Sequence, residues 1–188
     1  MAQKKLILAF TGHMASGKGT ACNYFVENYG AVTVRFSNML RDVLDRLYLE
    51  QNRDNLQKLS LSLRQDFGQD VMAKVIARDV EISDAPLIVV DGVRRPSDVI
   101  YLKKVPGFVL IAIAVPQAVR FERLKSRHEN PDDERKTWEQ FQREEKADAE
   151  ILIPEIMKQA DYTIDNGGDV GSLRMKLEEL YKKLSHDH

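Results

Sequence analysis

With 188 residues, the chain is long enough to bury one substantial core and short for two domains. Its composition, 43% hydrophobic and 30% charged, excludes wholesale disorder, and a net charge of -1 argues against a molecule-wide basic field for nucleic acid or an anionic membrane. The single Cys22 excludes an intramolecular disulfide framework, and no apolar run is long enough to span a bilayer, so the expected location is the cytoplasm.

From the N-terminus, Leu6–Thr11 is a continuous apolar run, as in a strand buried on both faces of a parallel sheet. It opens onto TGHMASGKGT, where Gly12, four residues and Gly17-Lys18 fit the phosphate-cradling pattern G-x-x-x-x-G-K-[ST] up to its last place. There Gly19 stands instead of a hydroxyl residue, followed by Thr20. In such a loop the backbone N–H groups, here those of His13, Met14, Ala15 and Ser16 with the glycines, curl around phosphate oxygens. The following helix N-terminus adds positive potential, and Lys18 neutralises the outer phosphates. For His13 the backbone is expected to matter more than the ring.

A helical pattern from Thr20 to Tyr29 puts Ala21, Phe25 and Val26 on one side and stops at Gly30. Ala31–Phe36 alternates apolar and polar residues as a second strand. Residues 38–84 read as a helical insertion, with Leu56, Leu59, Leu63 and Phe67 and then Met72, Val75, Ile76 and Val80 at helical spacing. Leu87–Val90 is a third strand, and Asp91 at its end is placed to hold magnesium through water.

Phe108–Val115 is a fourth strand, and Pro116–Arg127 a helix with Val119, Phe121 and Leu124 as its core face. Arg123 and Arg127, four apart, share one face of it. The segment 128–136, HENPDDERK, reads as a short exposed lid without the cysteines a zinc site would need. Trp138 and Phe141 are expected to pin the next helix to the body, with Glu144 and Glu145 as surface charges. Tyr162–Ile164 is the last strand, and Met175, Leu177, Leu180 and Leu184 mark a closing helix. Strands alternating with helices imply an α/β fold over 1–188 as one domain, with ligands at the carboxyl ends of the strands. Asp66-Phe67-Gly68 spells a protein-kinase magnesium motif, but it lies within the helical insertion without its companions.

The form G-K-G-T at Gly17–Thr20 resembles adenylate kinase and other nucleoside monophosphate kinases. Gly19 cannot supply the hydroxyl metal ligand of switch-type NTPases, leaving phosphate oxygens, waters and a distant carboxylate to hold magnesium. The resemblance implies a three-layer P-loop fold with a five-stranded parallel sheet in order 2-3-1-4-5. It also implies ATP and Mg2+ as cofactors and a second phosphate-bearing substrate gripped by arginines. Arg41 matches the arginine of a G-D-x-x-R pattern, with Asn38 where the usual Asp stands, and Arg35 is a further candidate. Asp91-Gly92-Val93-Arg94-Arg95 is similar to a D-G-x-x-R element; Arg94 or Arg95 would reach the acceptor phosphate, and Arg94 is preferred because Arg95 precedes Pro96.

Arg123 to Arg127 resembles the R-[LI]-x-x-R element of these kinases, which implies that Arg123 stacks on adenine and Arg127 reaches the transferring phosphate. Arg135, Lys136 and Arg143 would close over the phosphates. The nearest likeness is to an archaeal family related to adenylate kinase and dephospho-coenzyme A kinase, carried by Asp91–Arg94, Arg120–Lys125, Lys136–Phe141 and Asp161–Ile164. A weaker likeness is to phage deoxynucleotide kinases and animal phosphomevalonate kinase. The activity implied is transfer of the γ-phosphoryl of ATP to a nucleoside monophosphate or similar phosphorylated metabolite. A dephospho-coenzyme A or phosphomevalonate kinase-like activity, or an ATP-hydrolysing regulatory NTPase, is the alternative.

Overall fold

The computed structural model describes residues 5–127, 133–146 and 150–186, with the side chains of Arg53, Arg127, Asp133 and His186 outside that description. Five strands, β1 (Leu6–Thr11), β2 (Val32–Arg35), β3 (Leu87–Asp91), β4 (Phe108–Ala114) and β5 (Tyr162–Asp165), form one all-parallel sheet. Their order is β2-β3-β1-β4-β5, as the resemblance implies. β1 lies at the centre and every one of its residues is buried, which is why it reads as an unbroken apolar run.

Side chains alternate across β1. Leu6, Leu8 and Phe10 enter a core with α1 (Lys18–Tyr29) and α9 (Val170–His186), through Phe25, Leu173, Leu177 and others. Ile7 and Ala9 enter a second core on the other face with α4 (Val71–Ile82), α5 (Pro96–Leu102) and α8 (Ile153–Met157). Each fully buried Ile, Leu or Phe here contributes about 1.5–3 kcal/mol relative to exposure. The sheet is thus clamped from both sides, and its carboxyl edge becomes a rigid platform. There Phe10 and Arg35 each stand opposite Asp91, and Thr11 stands opposite Ala112.

Several boundaries and faces differ from the sequence reading. Phe36 opens α2 (Phe36–Arg46) instead of closing the second strand. The helical stretch contains α2, α3 (Arg53–Phe67) and α4, but Ile76 and Val80 of α4 belong to the sheet's core and Phe36 of α2 packs against it, while α3 packs on α2 and α4. Phe67, in the last turn of α3, is 69% exposed although it completes an apolar stripe. In α9 the buried series is Leu173, Leu177, Leu180 and Leu184; Met175 is off that face and 70% exposed. The short helices α5 and α8 carry too few turns to show a period.

Candidate functional site

The loop from β1 to α1 folds back through left-handed backbone at Gly12, Ala15 and Gly17, with φ of 148°, 59° and 97°. A Cβ on Gly12 would lie 2.6 Å from the Ile113 carbonyl oxygen and 2.8 Å from Ser16 Oγ; one on Gly17 would lie 2.6 Å from Asn166 Nδ2. Both glycines are therefore required by space as well as by conformation. Gly19 is different, because a Cβ there meets nothing within 4 Å.

Lys18 is buried and curls back to donate to the carbonyls of Gly12 at 2.6 Å and His13 at 2.9 Å. Burial, then the Arg94 charge, push its pKa down to about 8. The Ser16 hydroxyl is buried within the same loop and has no hydrogen-bond partner. Spare donors, a poised lysine and glycines that leave the backbone bare are what a phosphate chain needs.

A cleft of about 1010 Å³ opens over the loop, walled by Met14 to Thr20 together with Arg35, Asp91, Arg94, Arg123 and Asn166. Arg35 Nε reaches Asp91 Oδ2 at 3.2 Å across neighbouring strand ends. Arg123 donates from Nη2 to the Gly168 carbonyl at 2.6 Å, so the edge of its guanidinium meets the loop that follows β5. Asp98 accepts the backbone N–H groups of Arg94 at 3.0 Å and Arg95 at 2.9 Å and fixes the turn after Asp91. Of that pair, Arg94 borders the cleft; Arg95 is not among its walls.

Other expected residues are placed elsewhere. Arg41 donates to Gln51 Oε1 at 2.9 Å, and neither it nor the exposed Asn38 walls the cleft. Arg143 is exposed and bonds back to the Glu139 carbonyl at 3.4 Å. Lys136 is no open flap cation: it is buried and pairs with Glu144 at 2.9 Å. Arg127's side chain and residues 128–132 of the expected lid lie outside the described residues. Trp138 and Phe141 do hold their helix, α7 (Trp138–Glu144), against Phe121.

Three acidic or amide groups escaped the sequence reading. Glu145 is 10% exposed rather than a surface charge, and it accepts from Arg120 and Gln117. Glu150, 7% exposed, accepts the Met14 N–H at 3.0 Å, and its other oxygen lies 3.4 Å from Arg94 Nη1. His13 Nδ1 sits 3.9 Å from Glu145 and 4.0 Å from Glu150; burial and Arg120 hold its pKa below the usual value against those two acids. The ring thus belongs to the site's framework. Asn166 donates to the Ser16 carbonyl at 2.9 Å. The rule that ligands bind beyond strand carboxyl ends could have found Asn166, one residue past β5, which the sequence reading passed over; no spacing marks Glu150.

Among the described residues, no cluster of three or more His, Cys, Asp or Glu could hold a metal ion by itself. A single carboxylate beside a phosphate loop still suits magnesium, which binds through one or two acids plus substrate phosphates. Asp91 is the cleft carboxylate nearest that description. No described helix is long and apolar enough to cross a membrane.

The central strand, phosphate loop and 2-3-1-4-5 sheet define a P-loop protein of the nucleoside monophosphate kinase-like class. The model of the AAA domain family matches residues 11–142. The UPF0200 protein of Thermococcus onnurineus is 30% identical over 97% of this chain and 100% of its own length. The chain belongs to that UPF0200 family. Among solved structures, shikimate kinase from Bacteroides thetaiotaomicron has a TM-score of 0.63 at 14% identity, covering 94% of this chain and 98% of that one. Shikimate kinase from Acinetobacter baumannii in complex with shikimate has a TM-score of 0.57 at 15% identity, covering 96% and 95%. At these identities the likeness is one of fold.

Proposed function

We propose that the protein is a cytoplasmic, ATP-dependent small-molecule kinase that passes the γ-phosphoryl group to a nucleoside monophosphate or similar phosphorylated metabolite. The observation that carries this reading is one cleft in which the P-loop and Lys18 face Arg35 and Asp91 at neighbouring strand ends and Arg94 in the turn that follows. A simple hydrolase has no use for two arginines, Arg35 and Arg94, facing its loop across the cleft. The named fold neighbours are kinases that act on small molecules, which supports a small-molecule acceptor. Dephospho-coenzyme A and phosphomevalonate are alternative acceptors.

In this reading the loop amides and Lys18 bind the phosphate chain, and Arg123 stacks on the adenine. Arg94 and Arg35 neutralise the acceptor side, and Arg127, Arg41 and Arg143 would add charge on closure. Asp91 would hold magnesium through water; that ion, when bound, neutralises phosphate charge. Catalysis then rests on positioning and charge neutralisation. The test is a phosphotransfer screen with ATP against nucleoside and deoxynucleoside monophosphates, dephospho-coenzyme A and phosphomevalonate, read by mass spectrometry. Acceptor-dependent ADP formation, lost in Lys18→Ala by about 100-fold or more, is expected. Turnover independent of every acceptor, or full transfer by Lys18→Ala, would sink it.

A further inference from the structure

Glu150 sits where a kinase of this design should carry an anion-binding position. Its Oε2 occupies the Met14 amide, a donor of the phosphate loop, and its Oε1 faces Arg94 at 3.4 Å. Met14 lies toward the strand end of the loop, beside the Gly12 and His13 carbonyls that hold the Lys18 ammonium. Lys18, Arg94, Asp91 and Glu150 therefore share one end of the cleft, and each of the other three acts electrostatically on the lysine. Where Lys18 meets the outer phosphates is the transfer end.

Two carboxylates stand at that end, and they are differently placed. Asp91 ends a strand in an ion pair with Arg35 at 3.2 Å. Glu150 lies against the phosphate loop, nearly enclosed and aimed by the Met14 N–H. The charge of the walls is also telling. The described cationic side chains lining the cleft are Lys18, Arg35, Arg94 and Arg123. Against them stand Asp91, Glu144, Glu150 and Asp169, so among the described residues the walls are balanced. Transfer from ATP to a phosphate brings two polyanions together and calls for surplus positive charge, with no base needed. A hydroxyl nucleophile is the opposite case, uncharged on arrival and dependent on losing its proton.

We infer that Glu150 is a catalytic proton acceptor and that the nucleophile on the acceptor is a hydroxyl group, an alcohol of the metabolite, rather than a phosphate oxygen. The inference rests on the kinase reading and narrows its acceptor class. In the step, the acceptor O–H bond breaks and its proton passes to a Glu150 carboxylate oxygen. The acceptor oxygen forms a bond to the γ-phosphorus, the bond from that phosphorus to the β–γ bridging oxygen breaks, and ADP leaves. Binding of ATP displaces Glu150 from the Met14 N–H, and Arg94 keeps the carboxylate close.

The test compares the full-length wild type with Glu150→Gln, which keeps the shape and the bond to Met14, and with Glu150→Ala. ATP turnover is measured with water alone, with nucleosides and dephospho-coenzyme A as hydroxyl acceptors, and with nucleoside monophosphates as phosphate acceptors. The expected result is transfer to hydroxyl oxygen, with Glu150→Gln lowering kcat by about 100-fold or more while the KM for ATP does not rise. Formate should restore part of the rate to Glu150→Ala, which a merely structural role would not allow. Glu150→Gln retaining kcat while binding ATP more tightly would overturn the inference, showing that the carboxylate only fills an anion seat in the free protein. Wild-type transfer onto the phosphate of a monophosphate would overturn it too, and would leave the kinase reading intact. A wild type that turns over no ATP would overturn the kinase reading and this inference with it.

Discussion

Asn166, one residue past β5, locks the phosphate loop, donating to the Ser16 carbonyl at 2.9 Å while its Nδ2 lies 2.6 Å from where a Cβ of Gly17 would stand. Its own backbone N–H is held by the Ala114 carbonyl at 2.8 Å, so the side chain is aimed by the end of β4. Asn166→Ala would leave a buried carbonyl unpaired, costing about 1–3 kcal/mol. At about 2–4 °C per kcal/mol for a chain of this size, thermal unfolding should show a clear drop in Tm. Unchanged Tm and unchanged ATP affinity would show that the loop holds its shape without the lock.

Lys18 predicts opposite pH trends for stability and for binding. Its folded pKa, about 8, lies below the ordinary 10.5, so between those values the unfolded chain binds more protons. Stability of the ATP-free protein from this group therefore rises with pH across that window. A bound phosphate favours the charged lysine, so ATP binding above pH 8 should take up a proton, and affinity should fall as pH rises. Calorimetry at pH 8.5–9 in two buffers of different ionisation enthalpy measures that uptake. Equal binding heats in both would contradict it.

Gly19 is free of protein neighbours although it sits in the first turn of α1. Replacing a helical glycine by alanine gains about 0.5–1 kcal/mol when the backbone allows it. Gly19→Ala should therefore raise Tm by a few degrees, while ATP binding weakens because the bare backbone is reserved for a phosphate. A variant that is more stable and binds ATP as well as the wild type would show that the glycine serves neither fold nor ligand.

Much of this architecture was legible because its signals are local. The apolar run of β1, the glycine spacing of Gly12 and Gly17, and the strand-end position of Asp91 each span a few residues, and the sheet order followed from the family likeness they carry. Glu150 was not legible, since its partner Met14 lies 136 positions away and no period links them. Arg41 shows the converse. Its motif match was local and clear, yet Gln51, ten positions on, takes its guanidinium in this conformation. Charged residues next to one another also concealed their environments: Glu145 packs inward while its neighbour Glu144 meets Lys136.

That inward packing makes Arg120 the side chain whose loss should harm the fold most at this site. Its guanidinium is 5% exposed, pairs with Glu145, and lies over the Phe141 ring at 5.6 Å from the centroid. Its Nε also donates to the Val115 carbonyl at 3.2 Å, tying the end of β4 to α7. Arg120→Ala strands the Glu145 carboxylate in a nearly dry setting, a loss of about 3–5 kcal/mol. Arg120→Lys keeps the charge but loses the planar fork that meets both Glu145 and Val115. Replacing both partners, as in Arg120→Met with Glu145→Met, removes the stranded charge and should be less destabilising than Arg120→Ala alone. Urea unfolding of the three variants gives the comparison. A double variant as unstable as Arg120→Ala would mean that the Val115 and Phe141 contacts, rather than the ion pair, hold α7 to the sheet.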